Sequence, residues 1–205
     1  ADAVLDFYMR DKELFEKFEP DRMPNFYTRQ FQRQMLLFEY NMAVQGTLFR
    51  FYVYEKEHPD RIIGTICVHH ITRGFSEQCE VGYKFSSAYH HRGYATESLR
   101  FIMDLVFRDL KLHRAMAWAL PDNTASIRLL ERVGFVYEGI CHDYMMLNQK
   151  WRDHAQFCMI NPDSADTSSI RKLRSCLWSL RILRLLPQIP GNQRALPSYV
   201  PAAHR

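Results

Sequence analysis

Cysteine is scarce in this chain, and the few cysteines are scattered. They stand at Cys67, Cys79, Cys141, Cys158 and Cys176. Their odd number and wide spacing indicate neither a disulfide framework nor a metal-binding motif. We therefore expect a protein of a reducing compartment, most simply the cytoplasm, that holds no metal.

Long apolar runs and a strong net charge are also missing. No segment has the length or composition of a membrane span or signal peptide, so we expect no membrane partner. The net charge is +4 over 205 residues, too small to indicate specific nucleic-acid binding but compatible with a polyanionic cofactor. This length fits one folded domain.

The hydrophobic pattern predicts a mixed α/β domain over residues 1–161. Two helices come first, and the second carries an apolar stripe at Phe31, Met35, Phe38 and Met42. Three strands follow, then a helix, a strand, a helix and two final strands, the last joined by a turn from Asn148 to Asp153. The crossover helices would cover one largely continuous sheet.

The third predicted strand, Gln78 to Phe85, alternates strictly between its two faces. One face carries Cys79, Val81, Tyr83 and Phe85, and the other carries Glu80, Gly82 and Lys84.

The composition changes after Asn161. Residues 162–205 read as a polar linker and a basic tail rich in Leu and Pro, with too little order-promoting pattern to predict a fold.

The most informative segment lies between this third strand and the next helix. It runs His90, His91, Arg92, Gly93, Tyr94, Ala95, Thr96. Consecutive amides at a helix N-terminus form an anion site, and Gly93 permits close approach of the backbone. The alternative is an ordinary strand-to-helix turn with a polar surface.

The order of several motifs resembles the GNAT superfamily of N-acetyltransferases, and within it the RimJ/RimL-like group. The family's acetyl-CoA loop matches His90 to Ala95, and the group's continuation matches Gly93 to Glu97. Further matches are Glu80-Val81-Gly82-Tyr83, Leu112-His113-Arg114, Asn123 with Ser126, Glu131 to Phe135, and Trp151 to His154.

The resemblance implies a GNAT-like, partly splayed sheet flanked by helices, whose first strand would precede Ala1. It implies acetyl-CoA in a V-shaped split between the strands that end near Phe85 and Leu120. The pantetheine arm would pair with the backbone of Tyr83, Lys84 and Phe85, and the pyrophosphate would bind the loop, with His90 and Arg92 at its rim. Asn123 would bind the cofactor's amides or order a loop around it.

Three positions depart from the family pattern. His91 replaces a usual glycine, but histidine enters the left-handed backbone region more readily than most residues. Leu130 stands where many members carry a tyrosine that acts as the general acid for the CoA thiolate. In the RimJ/RimL-like group a serine is the proposed substitute, and Ser126 matches it. Met145 stands at the position of a glutamate that is proposed as the general base in the family.

The resemblance implies direct attack of an amine on the acetyl thioester. Glu80 is the first candidate for the base and Asp143 the second, while Ser126 would guide the thiol or a water. Each has an ordinary alternative: an ion-paired strand residue for Glu80, a turn or pairing residue for Asp143, and a helix-capping hydroxyl for Ser126.

The sequence leaves the identity of the acceptor amine open. The resemblance favours a protein N-terminus; a small amine such as an aminoglycoside, polyamine or amino acid is the alternative, as is a non-catalytic acetyl-CoA-binding protein. A deep acidic pocket would favour a polycation, and an open groove would favour a peptide. A homodimer is left open.

Overall fold

The computed structural model describes residues 1–165, so the predictions for the tail from residue 166 onward lie outside the described residues. Three helices precede the sheet. They are α1 Asp2–Arg10, α2 Lys12–Phe18 and α3 Arg29–Val44. The remaining elements alternate strands with two helices: β1 Phe49–Tyr54, β2 Ile62–Thr72, β3 Gln78–Phe85, α4 Tyr94–Arg108, β4 Arg114–Ala119, α5 Thr124–Val133, β5 Val136–Leu147 and β6 Lys150–Ile160.

One mixed sheet of six strands organises the domain. Its spatial order is β1-β2-β3-β4-β6-β5, and β3 with β4 is the parallel pair, connected through α4. The predicted mixed sheet flanked by helices is confirmed. Within the described residues the chain enters the sheet at Phe49, and the strand implied before Ala1 stays a prediction.

The sheet separates two apolar layers. Side chains of β1 alternate between them, because successive residues of a strand face opposite sides. Phe51 and Val53 pack toward α4, whereas Tyr52 packs with the N-terminal helices. β2 is buried on both faces from Ile62 to Val68, as its continuous apolar run predicts.

The N-terminal helical segment is broken at Asp11, where the sequence pattern indicated one continuous helix. Asp11 leaves helical geometry at φ −122° and ψ 32°. Its carboxylate accepts hydrogen bonds from Ser86 Oγ at 2.6 Å and from the Ser87 amide at 3.1 Å. A long-range tether therefore sets the helix boundary, and local periodicity could not show it.

The buried face of α3 is not the apolar stripe that the sequence predicted. Gln32, Leu36 and Glu39 point inward, while Phe38 is 51% exposed. The polar side chains are accommodated because they have partners: Gln32 donates to the Phe26 carbonyl at 2.7 Å, and Glu39 pairs with Arg50. Phe38 and Met42 of the stripe line the cleft described below.

The last hairpin is tighter than predicted. Its turn is Asn148 and Gln149, with φ of 51° and 59°, so β6 begins at Lys150 and not at His154. Two consecutive left-handed residues match the twist of a two-residue hairpin turn.

The end of the described chain is attached to the domain. Asn161 Nδ2 donates to the Leu112 carbonyl at 3.1 Å, and Ser164 Oγ lies 2.8 Å from His113 Nδ1. The boundary placed after residue 161 stays a prediction. Over residues 1–165, no helix combines the length and apolar character that a membrane span needs.

Candidate active site

The parallel strands β3 and β4 separate soon after they meet. They pair at three positions, Gln78 with Arg114, Cys79 with Ala115, and Glu80 with Met116. Beyond Glu80 the two strands diverge into the predicted V-shaped split. The resulting cleft has a volume of about 1930 Å³, which exceeds the roughly 300–1,000 Å³ of a site for one drug-sized ligand. It therefore has room for two substrates.

The backbone of β3 supplies unpaired polar groups to the split. Ser86 donates its amide to Ile63 in β2, whereas the Glu77 carbonyl accepts from His113 and Arg114 beside β4. Because neighbouring residues of a strand direct their backbone groups to opposite sides, Val81, Tyr83 and Phe85 direct theirs into the split.

Not all of these groups are free. His90 Nε2 donates to the Phe85 carbonyl at 3.0 Å, so the Tyr83 backbone is the best available partner for an extended ligand. Lys84 directs its backbone toward β2, and its side chain forms an ion pair with Glu19.

The loop before α4 is built as an anion site. Gly93 is left-handed at φ 86°, no side chain caps the helix, and α4 begins at Tyr94. The first amides of the helix consequently have no partner within it. A Cβ added at Gly93 would meet no atom within 4 Å, so the space above these amides is open to a phosphate group.

His91 adopts the left-handed conformation that the sequence analysis predicted, with φ 60°. His90, His91, Gly93, Ala95 and Thr96 line the cleft. The two remaining side chains of the loop turn elsewhere: Arg92 stacks on Tyr89 at 5.4 Å, and the Tyr94 hydroxyl donates to Glu55 at 2.6 Å. Arg92 and Tyr94 would therefore contact a bound cofactor through their backbone amides and not through their side chains.

The start of α5 lies across the split from β3. Asn123 caps this helix, its Oδ1 accepting from the Ser126 amide at 3.2 Å. Ser126 Oγ is 2.9 Å from the Tyr83 hydroxyl. Burial raises the pKa of Tyr83, although the Ser126 hydrogen bond opposes this. The two hydroxyls thus form a neutral, proton-bearing pair inside the cleft.

Arginines surround the cofactor end of the cleft. Arg100 of α4 and Arg128 and Arg132 of α5 line it, and Arg100 donates to the Arg132 carbonyl at 2.9 Å. These cations suit a second phosphate group, since guanidinium pairs readily with phosphate oxygens.

Glu80 stands where the split begins. It shares a face with Gly82, as predicted, and lies opposite His69 in the register of β2 and β3. Its carboxylate is 3.0 Å from His70 Nδ1 and 3.9 Å from His69 Nδ1. The two imidazoles line the cleft in front of this carboxylate. Its role as the base stays a prediction.

Asp143 lies farther from the cleft. It occupies a bulge of β5 with φ 45°, its side chain is exposed, and its amide donates to Asp153 at 2.9 Å. Neither Asp143 nor Glu80 is among the residues that line the cleft, but His69 and His70, which contact Glu80, do line it. The catalytic role of Asp143 stays a prediction.

His69 was not singled out in the sequence. Burial, then His70 and Arg50, lower the pKa of His69 to about 4, so its imidazole is neutral at pH 7. Nothing in the local sequence marks it, because its position depends on a bulge in β2 between His69 and Thr72.

Trp118 was also missed. Its Nε1 is buried and has no hydrogen-bond partner, and the side chain lines the cleft and stacks on Tyr144 with ring centroids 5.3 Å apart. A buried, unpaired donor costs about 1–3 kcal/mol, which a bound acceptor group would relieve.

The far end of the cleft is apolar and lies against the N-terminal helices. Phe18 of α2, Phe38 and Met42 of α3, and Leu48 line it. This surface accounts for part of the α3 stripe: Phe38 and Met42 border the cleft, whereas Phe31 packs against the buried cluster of the N-terminal helices.

The splayed mixed sheet, with an uncapped helix N-terminus at the split between β3 and β4, has the geometry of a site for a phosphate-bearing ligand. Residues 1–136 match the family described as the acetyltransferase (GNAT) domain. The chain belongs to this family, and it is an N-acetyltransferase. Acetyl-CoA or CoA is the co-substrate of its GNAT relatives.

Individual relatives place the chain near the RimJ/RimL-like enzymes. It is 32% identical over 163 residues to the probable N-acetyltransferase YjcK of Bacillus subtilis, covering 80% of this chain and 90% of that one. It is 29% identical to the ribosomal protein uS5-alanine N-acetyltransferase of Escherichia coli, covering 78% and 82%.

A solved structure agrees. The ribosomal-protein-S5-alanine acetyltransferase of Vibrio fischeri superimposes with a TM-score of 0.74 at 32% identity, covering 78% of this chain and 87% of that one.

Proposed function

We propose that this enzyme transfers the acetyl group of acetyl-CoA to the α-amine of a polypeptide N-terminus in the cytoplasm. The observation that carries the proposal is the shape of the cleft, which continues from the split past His69 and His70 to the apolar surface of Phe18, Phe38 and Met42. A relative named as acting on a ribosomal-protein alanine supports it.

The charge of the cleft disfavours a polycationic acceptor. Among its described lining residues the carboxylates are Glu19 and Glu97, and Glu19 is paired with Arg22 and Lys84. Of the basic side chains that line the cleft, Arg100, Arg128 and Arg132 lie at the cofactor end, while Lys17, Arg50 and Lys84 lie on the acceptor side, where Arg50 is paired with Glu39. A polyamine or aminoglycoside would therefore find no unpaired carboxylate among the described lining residues of the acceptor side.

The cofactor is held mainly by backbone. The pyrophosphate binds the amides that open α4, the extended arm pairs with Tyr83, and the arginines of α4 and α5 bind the terminal phosphate. Asn123 acts by ordering the start of α5, since its Oδ1 is already used in the cap.

The transfer requires one proton to leave the amine and one to reach the sulfur. Glu80 takes the amine proton, with His69 between its carboxylate and the cleft. The amine nitrogen then forms a bond to the acetyl carbon as the carbon–sulfur bond breaks. The Ser126 and Tyr83 hydroxyl pair supplies a proton to the departing thiolate, and a β3 amide stabilises the oxyanion.

Trp118 gives the acceptor an aromatic wall. Its side chain lines the cleft and stacks on Tyr144, while its Nε1 is buried. Contact with this wall would help to hold the acceptor in place, because positioning of the nucleophile is a large part of catalysis.

An acceptor screen tests this function. Peptides beginning with alanine or serine are compared with spermidine, an aminoglycoside and free amino acids, with release of CoA thiol as the readout. We expect the peptides to have the highest kcat/KM. Preference for a polyamine or aminoglycoside would contradict the proposal.

A further inference from the structure

A cluster of two histidines and one glutamate lies at the mouth of the cleft and has no assigned role beyond Glu80. His69, His70 and Glu80 each offer one ligand atom, and these atoms all lie within 4.8 Å of one another. The Glu80 oxygen is 3.0 Å from His70 Nδ1 and 3.9 Å from His69 Nδ1.

The backbone is bent to bring the two imidazoles together. Consecutive strand residues normally face opposite sides of a sheet, so neighbouring histidines could not share one carboxylate. His70 is left-handed at φ 48°, within the irregular part of the β2–β3 register. The imidazole centroids are consequently 4.6 Å apart.

The ligand types and spacing suit a divalent transition metal. Two histidines with one glutamate form a set that zinc uses when it keeps an open fourth position. Bonds of about 2.1 Å in tetrahedral geometry place ligand atoms roughly 3.4 Å apart. The separations of 3.0 and 3.9 Å from Glu80 bracket this value.

The exposure of the ligand side chains also fits a metal site. The His70 side chain is 72% exposed, which leaves an entry path from solvent, whereas Glu80 is only 19% exposed.

We propose that His69, His70 and Glu80 bind a divalent cation of the zinc class, and that the bound cation inhibits acetyl transfer. Inhibition rests on the proposed function, because the cation would occupy the carboxylate that takes the proton from the acceptor amine. Metal binding itself does not depend on it.

Cobalt titration of the full chain, without acetyl-CoA or acceptor, tests the binding. Co²⁺ bound by imidazole and carboxylate gives weak visible bands, whereas a thiolate ligand adds strong near-ultraviolet absorption. We expect one equivalent to bind with visible bands alone, and Zn²⁺ to displace it. Absence of binding, or a thiolate signature, would overturn the proposal.

Two variants locate the site. His70→Asn removes a ligand while retaining a residue that tolerates φ above zero, and Glu80→Gln removes the carboxylate. We expect each variant to weaken cobalt affinity at least about tenfold. Even the loss of a group that only hydrogen-bonds to a metal ligand lowers metal affinity about 10–100-fold.

His142→Gln is the matched control, because His142 also pairs with a carboxylate, Asp153, at 2.8 Å. It should leave the affinity unchanged. Equal affinity in all four proteins, once their folding is confirmed by circular dichroism, would refute the site.

Inhibition is measured by mass spectrometry of the acetylated peptide, since zinc binds the CoA thiol and would disturb a thiol assay. Zinc should inhibit the natural sequence reversibly, with recovery in EDTA. Relative to its own rate without zinc, His70→Asn should lose the inhibition. Retained zinc inhibition in His70→Asn would show that the cation acts elsewhere.

Discussion

The two sides of the cleft are built by different means. The cofactor side, from Tyr83 to Thr96 with α5, relies on backbone: left-handed His91 and Gly93, an uncapped helix and unpaired strand groups. The acceptor side, formed by α2, α3 and the sheet face that carries Lys84, relies on side chains and buried ion pairs. In the proposed function, the first side would bind the same cofactor in every relative through its backbone geometry, and the second would be free to vary with the acceptor.

The largest expected effect concerns proton removal on the acceptor side. Glu80→Gln should lower kcat about a hundredfold, a typical loss for a general base, and leave acetyl-CoA affinity nearly unchanged. Steady-state kinetics and calorimetry measure the two quantities. Asp143→Asn is the control; a greater loss of kcat there would transfer the role to Asp143.

The next effect tests the cofactor side. Gly93→Val should weaken acetyl-CoA binding by about tenfold or more, because a β-branched residue strains a left-handed position and stands between the amides and the phosphate. Gly74 has a similar φ of 88° and equally open space, but lies outside the cleft. Gly74→Val should lose similar thermal stability and no affinity. Equal affinity losses would mean that the loop is structural only.

The hydroxyl pair connects the two sides. Ser126→Ala and Tyr83→Phe should each lower kcat about tenfold, and the double variant should lose little more, because the atoms 2.9 Å apart act as one unit. A double-mutant cycle on kcat measures this coupling. Strictly additive losses would assign Ser126 to helix capping and Tyr83 to packing.

The cofactor side was largely predictable, and the acceptor side was not. Gly93 and the helix after it are local signals, and the left-handed His91 follows from a known backbone preference. The position of His69 depends on a strand bulge, and that of Trp118 depends on packing partners that are distant in sequence. The hydrophobic periodicity of the sequence reveals neither. The α3 stripe was recognised as apolar, but its sequence could not show which residues border a cleft and which pack in the core, because cleft and core share one hydrophobic signature.

A smaller effect concerns the tether between the sides. Burial alone would raise the pKa of Asp11, but hydrogen bonds from Ser86 and Ser87 outweigh it and hold that pKa below its ordinary 3.8. The stabilisation is thus present above the unfolded pKa and lost as pH falls through the folded one. Asp11→Asn should lower the unfolding free energy by about 1–3 kcal/mol at pH 7.

Denaturant titration at several pH values checks this. The difference between the natural sequence and Asp11→Asn should be constant above roughly pH 5 and shrink below pH 4. A difference that persists unchanged in acid would show that the carboxylate charge does not stabilise the fold.

The smallest effect is expected from the tail. Deleting residues 166–205 should leave the melting temperature and acetyl-CoA affinity nearly unchanged, since the family match ends at residue 136 and the last described contacts end at Ser164. Scanning calorimetry and size-exclusion chromatography report on it. Aggregation, a much lower melting temperature or a changed oligomeric state would assign the leucines of the tail to a buried interface.

The central claim is that the enzyme acetylates a polypeptide α-amine. The most direct test is mass-spectrometric localisation of the acetyl group on a peptide that begins with alanine and also contains lysines, incubated with acetyl-CoA in the presence of spermidine. The account predicts acetylation of the α-amine, with lysines and spermidine left unmodified. Acetyl groups on lysine side chains or on spermidine, with a free peptide terminus, would contradict it.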